Sequence, residues 1–231
     1  MTSIGPSPVI DTIPIGSDGF YHPTSEEQIV ALVKKAYAEG LQVRCRGASH
    51  SIAWAIYTDP GPGDKPVPNK VSEQRPPQGP NINIMLDQYY KLEWLDEQNG
   101  VVEAEAGMHL GYDPEDPTHT STLDNSLLYQ AFKKGWALED LGGITHQTVG
   151  GFISSGSSGG TLIYRFEENL LAFRVIDGGI HRLVRQIVQK RSRIVRVQDF
   201  GCTRSRRRFS PIKHYCAQET EVGGGQRTPI H

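Results

Sequence analysis

The chain has 231 residues, with 24 Lys+Arg against 26 Asp+Glu, 37% hydrophobic and 22% charged. That is a soluble-globular balance, long enough for one sizeable domain or two small subdomains. Its apolar runs are far too short to span a membrane, and its N-terminus has no basic stretch followed by an apolar one, so no secretory signal. Three scattered cysteines, Cys45, Cys202 and Cys216, argue against a disulfide framework and a zinc-type site and point to a reducing, cytoplasmic setting.

Residues 22–40 read as a capped helix. Ser25 or Thr24 can cap it, Glu27 or Gln28 can reach back, and Gly40 stops it. Ile29, Leu32, Val33 and Ala36 give it one apolar stripe. His22, just before it, is expected at the surface. The alternating "LQVRCRG" predicts a strand over residues 41–47, which runs into Arg46-Gly47-Ala48-Ser49-His50-Ser51. In this short loop His50 could be a ligand, a base, an attachment point or a plain turn residue.

Residues 60–80 carry Pro and Gly too densely for helix or central strand and read as a surface insertion. "NINIMLDQY" and "GVVEAEAGMHL" predict strands. Between them "YYKLEWLDEQ" is helix-like or strand-like and ends in an Asn99-Gly100 turn. "DPEDPTHTSTLDN" is a polar loop, and "SLLYQAFKKGWAL" predicts a helix ending near Gly135. No internal repeat of solenoid length is present.

Residues 141–160, "LGGITHQTVGGFISSGSSGG", hold seven glycines and four serines in twenty positions. Such a run is a phosphate or cofactor cradle or else disorder. Ile144, Val149, Phe152 and Ile153 argue against disorder. Neither glycine loop is a P-loop or a Rossmann turn. His109, His119 and His146 lack metal-ligand spacing, so no metal site is expected; a polar, ligand-side role is open to His146.

In order, the helix, the strand, R-G-x-S-H-S at 46–51, the "VVEAEAGMHLG" strand, G-x-I-x-x-Q-T-V-G-G-x-I-x-S-G at 142–156 and "ENLLAFRVIDG" resemble the FAD-binding domain of the vanillyl-alcohol oxidase/p-cresol methylhydroxylase superfamily. The nearest likeness is to the sugar-lactone (D-arabinono-1,4-lactone and L-gulonolactone) and alditol oxidases, over residues 22–177. The resemblance implies an α+β fold with FAD between subdomains at about 20–110 and 111–180. An N-terminal extension, 1–19, would precede them and a basic tail, 181–231, would follow. It further implies that Arg46, Gly47, Ala48, Ser49 and Ser51 cradle the diphosphate and that His50 carries the flavin covalently. Gly143, Thr148, Gly151, Ser154, Ser155, Gly156 and Ser157 would contact FAD, and Val175 the adenine.

With no cysteine in the later loop, any covalent link would be single. Where many sugar oxidases read T-G-T-H-G, this chain reads Ser155-Gly156-Ser157-Ser158-Gly159, which puts the substrate class in doubt. The family reaction moves a hydride from a CH–OH carbon of a sugar lactone or polyol to flavin, with dioxygen or another acceptor taking the electrons. The catalytic acid or base is unknown: the family's cap domain would supply it, and nothing here resembles one. The expectation is a truncated relative, with a catalytically silent flavin-binding or interaction module as the alternative.

The charge balance changes where the likeness stops. Residues 1–180 hold 12 basic and 23 acidic residues (−11), and residues 181–231 hold 12 and 3 (+9). The tail reads as a shifted frame, unspliced intron or truncated gene product. It could also be a basic amphipathic helix built on Leu183, Val184, Ile187 and Val188. Nucleic-acid binding by Arg204 and Arg206 to Arg208 is the weakest reading: no module supports it, so no specific nucleic acid is expected.

Overall fold

The structure is a computed structural model describing residues 9–60, 76, 79–160, 170–177, 182–186 and 195–198. The elements are a 3₁₀ turn (Ile10–Thr12), α1 (Glu26–Glu39), β1 (Val43–Arg46), α2 (Ala53–Ile56), β2 (Ile82–Met85), β3 (Leu92–Asp96), β4 (Val101–Glu105), α3 (Leu127–Lys133), α4 (Val149–Ser155), β5 (Leu170–Ile176), β6 (Arg182–Gln186) and β7 (Val195–Gln198). β1 and β2 pair in parallel, Val43 opposite Ile82. The other strands form a mixed sheet in the order β3-β4-β7-β5-β6, so the architecture is α+β.

Each element has a local cause. Ser25 Oγ accepts from the Gln28 amide, and Gln28 Oε1 accepts from the Thr24 amide at 2.7 Å, a reciprocal pair that ties down the α1 entrance. Gly40 ends the helix at φ 69°, a left-handed conformation that glycine takes without strain. The stripe Ile29, Leu32, Val33 and Ala36 is fully buried. β4 alternates, burying Val102 and Ala104. All four residues of β2 are buried, as expected of a strand covered on both faces. The core runs continuously from α1 and the two strands of the small sheet through Val102, Met108 and Leu127 to Val149, Phe152 and Leu170.

Several sequence readings change. The ambiguous "YYKLEWLDEQ" contains strand β3, antiparallel to β4, because the 97–100 turn folds it back on a partner. The second glycine run is not loop throughout, since α4 lies inside it. Thr148 Oγ1 caps that helix by accepting from the Gly151 amide at 3.1 Å, and Gly156 closes it at φ 61°. Buried Val149 and Phe152 anchor it despite its two glycines. In the expected tail, the amphipathic-helix reading fails for residues 182–186. These form β6, antiparallel to β5, with Val184 opposite Arg174; tertiary pairing overrides the i, i+4 pattern. The arginine cluster at 204–208 and most of the 60–80 insertion lie outside the described residues.

His22 is not a surface residue. Residues 13–22 fold into a small hairpin strap, with Ile15 bridging Tyr21, laid along β2 where Tyr21 bridges Ile84. The Tyr21 amide donates to Asn83 O, and the Met85 amide donates to Tyr21 O, both at 2.9 Å. The His22 side chain, 15% exposed, is closed in between Asp87 and Asp18.

Among the described glycines, Gly107 leaves the least room for a side chain. A Cβ there would fall inside the radii of the Leu86 and Tyr89 carbonyl oxygens, and its amide donates to that Tyr89 oxygen at 2.9 Å. Both clashing atoms are backbone, which has no flexible tip to swing aside. Gly107→Ala is therefore expected to lower unfolding free energy by about 3 kcal/mol or more, read as a lower urea midpoint by circular dichroism.

Candidate functional site

β1 delivers Arg46 to the first glycine loop, and α2 picks the chain up after it. Arg46 is half-buried; its Nε donates to Ser49 Oγ, and a terminal nitrogen lies 3.5 Å from the Tyr57 hydroxyl. The guanidinium rests over the Phe20 ring, 5.6 Å from its centroid. Ser49 takes φ 63°, a left-handed kink unusual for a residue with a side chain that reverses the loop. Gly47 and Ala48 are half-buried, whereas His50 and Ser51 are exposed.

The second loop is laced to the segment after β4. The Leu110 amide donates to Gln147 O (2.8 Å), Gly111 to Thr145 O (2.6 Å), Val149 to Met108 O (2.7 Å) and Gly150 to Ala106 O (2.8 Å). This ladder holds Thr148 buried beside the first loop. A Cβ on Gly47 would overlap Thr148 Oγ1, so only glycine lets the two loops touch there. Farther out, the His50 and His146 rings lie 6.0 Å apart, tilted by 39°. Two runs about a hundred residues apart in sequence thus meet at two points.

Of the other expected contacts, Gly151, Ser154, Ser155 and Gly156 form the exposed side of α4 and its end, Gly143 is exposed and Ser157 is half-exposed. Nothing lies within contact range of a Cβ built on Gly143 or Gly156. Val175 sits in β5, half-buried, opposite Leu183 of β6.

The sequence did not single out three features of this neighbourhood. Phe20 and Tyr57, which carry Arg46, are fully buried with Ala53, Ile56 and Met85 in a small core of their own. Asp113, 5% exposed, lies 3.9 Å from His109 Nδ1 and 4.0 Å from His146 Nδ1, beyond hydrogen-bond reach, while His109 Nδ1 donates to His146 O at 2.8 Å. The polar loop, finally, is built around Asp116. Its carboxylate accepts from the amides of Thr118, Thr120 and Ser121 and from both threonine hydroxyls. The run of Asp, Thr and Ser was the available signal, since such side chains fold turns around themselves. The loop borders an open depression of about 400 Å³ lined by Tyr112, Asp113, His119 and Leu123. Among the described residues no group of three or more His, Cys, Asp or Glu could hold a metal ion. No helix among them is long and apolar enough to cross a membrane.

Electrostatics follow burial. Burial pushes the Tyr57 hydroxyl up, Arg46 opposes and Asp18 adds to the rise. At Asp116 burial also pushes upward, but the bonds from Thr118 and Ser121 prevail and hold it below the ordinary carboxylate value.

A search of protein-family models matches none to this chain, and a search of curated proteins likewise finds no match.

Because the folded Asp116 sits below its unfolded value of 3.8, its stabilisation is present above that pH and is lost as the pH falls through the folded value. Asp116→Asn is expected to cost about 1–3 kcal/mol at neutral pH. It should also flatten the acid limb of the stability–pH curve, measured by urea unfolding across that range.

Proposed function

We propose that the chain is an FAD-binding oxidoreductase of the kind its two loops resemble. Its substrate would be a CH–OH group of a sugar lactone or polyol, with electrons passing to an acceptor such as dioxygen. The observation that carries this proposal is the convergence of the two glycine loops, Gly47 against Thr148 and His50 beside His146. The residues fit the group in kind. Arg46 offers a permanent, delocalised positive charge suited to a diphosphate, beside the Gly47, Ala48, Ser49 and Ser51 backbone. The bare surfaces at Gly143 and Gly156 allow close approach of a flat ligand. His50, exposed at the rim, has an imidazole that can serve as the nucleophile for a covalent flavin link. Bound FAD supplies hydride acceptance. The chain's part is to hold and orient it; no acid or base is assigned.

The test is the visible spectrum of protein purified with FAD, before and after acid precipitation. Flavin absorbance that stays with the pellet, and leaves it in His50→Ala, is the expected result. Absorbance released by acid would keep FAD binding but return His50 to a plain loop residue. FAD bound without turnover of lactones or polyols would favour a silent flavin-binding module, and protein that takes up no flavin would refute the proposal. Gly47→Ala, which drives a methyl group into Thr148, is expected to weaken FAD binding about tenfold or more with little change in circular dichroism.

A further inference from the structure

The strap of residues 13–22 lies beside the candidate site, and its tip reaches under the first loop. Phe20, fully buried, packs on Tyr57 with ring centroids 5.8 Å apart and completes the small core of Ala53, Ile56, Tyr57 and Met85. That core supports both ends of the loop: Arg46 lies over Phe20 and reaches Tyr57, and α2 sits on the same cluster. Without the strap, the guanidinium would lose its aromatic platform and the small core its Phe20 ring.

The strap itself is closed by charge. His22 Nδ1 lies 2.6 Å from Asp87 Oδ1, and Nε2 lies 3.2 Å from Asp18 Oδ1. A neutral imidazole has one donor and one acceptor nitrogen, so it would turn a lone pair toward one of the carboxylates. Only the doubly protonated ring satisfies both. Asp18 is on the strap, where its Oδ1 also accepts from the Phe20 amide at 3.0 Å. Asp87 is on the turn after β2 and is 8% exposed. The backbone of Gly16 closes against the pair, so that a Cβ there would overlap Asp18 Oδ1 and crowd His22 Nε2.

We propose that residues 13–22 form a latch that positions Arg46 and the 46–51 loop, and that the His22 imidazolium, held between Asp18 and Asp87, is its proton-dependent bolt. That the loop receives an FAD diphosphate rests on the function proposed above; the coupling of latch to loop does not.

The hydrogen bond to Asp87 is the largest influence on His22. Burial opposes it, Asp18 adds to it, and together they raise His22 from 6.5 to about 9. These two carboxylates are the charged groups acting on the ring, and Asp18 also acts on the Tyr57 hydroxyl. With the folded value above the unfolded one, the bolt's contribution is complete below pH 6.5 and is lost as pH rises through about 9. The latch is therefore closed at neutral pH and opens in base.

The experiment is a pH titration of the full chain by NMR, following the carbon-bound protons of His22, the Phe20 ring and the Arg46 side chain, with FAD affinity measured across the same range. The expected result is a His22 midpoint near 9, Phe20 and Arg46 signals that change with the same midpoint, and FAD affinity that falls about tenfold or more across it. Asp87→Asn keeps the shape of the clamp and removes one charge, so it should move all three midpoints down together. A His22 midpoint near 6.5 would overturn the bolt. Phe20 and Arg46 signals that ignore the His22 midpoint, or stay put in Asp87→Asn while His22 moves, would overturn the coupling. If FAD binds at no pH, the proposed function falls while the NMR signals still decide the latch.

Discussion

The candidate site depends on one close approach, Gly47 against the buried Thr148 hydroxyl. That hydroxyl is fixed twice. Its oxygen caps α4 through the Gly151 amide, and its backbone is held by the bonds that lace residues 145–150 to residues 106–111. The lacing in turn requires residues 106–111 to turn sharply after β4, which they do at Gly107, pressed on the Leu86 and Tyr89 carbonyls. A chain of glycine-only contacts thus runs from β2 through Gly107 and Thr148 to the loop after β1. Bulk added at either glycine would separate the two loops, because each contact is with backbone or with a capped, buried side chain rather than with a flexible tip.

Much of the fold was legible where short-range physics decides it. The α1 stripe and its caps, β1, β2, β4, the Asn99-Gly100 turn and α3 follow from periodicity and stop signals, each of which lies within a few residues of the structure it specifies. Elements set by distant partners were less legible. β3 is a strand because β4 pairs with it, and β6 because β5 does; the apolar spacing at 183–188 fitted a helix equally well until a sheet edge was available. α4 was hidden by composition. Two glycines and three serines or threonines at its start and end read as loop, yet a threonine cap, a glycine stop and two buried apolar residues outweigh a propensity cost of about 1 kcal/mol per glycine.

The candidate site divides in the same way. The glycines and His50 stood out in sequence because small residues in a dense run are a local signal. The groups that hold them did not stand out. Phe20 and Tyr57 look like ordinary core aromatics, and His22 looks like a helix-flanking surface residue. Their relation to Arg46 exists only once the strap lies along β2. Asp113 is equally silent in sequence, since one of its neighbours, His146, is brought to it by the ladder between residues 106–111 and 145–150.

The hydrogen-bond directions in the second loop add a constraint on what it can face. Ser154 Oγ donates to Gly150 O at 2.7 Å, and Ser155 Oγ donates to Gly151 O at 2.8 Å. With the Ser155 proton committed, the 2.8 Å contact between Ser155 and Ser157 must be a donation from Ser157, which itself accepts from Gln147 Nε2 at 3.1 Å. The relay therefore runs one way, from Gln147 through Ser157 and Ser155 to the helix carbonyl, and consumes every hydroxyl proton along it. With their protons so committed, these hydroxyls can offer further partners lone pairs rather than donors. Lone pairs repel a phosphate and suit the hydroxyls of a polyol chain. Arg46 and the backbone amides of the first loop have the opposite character.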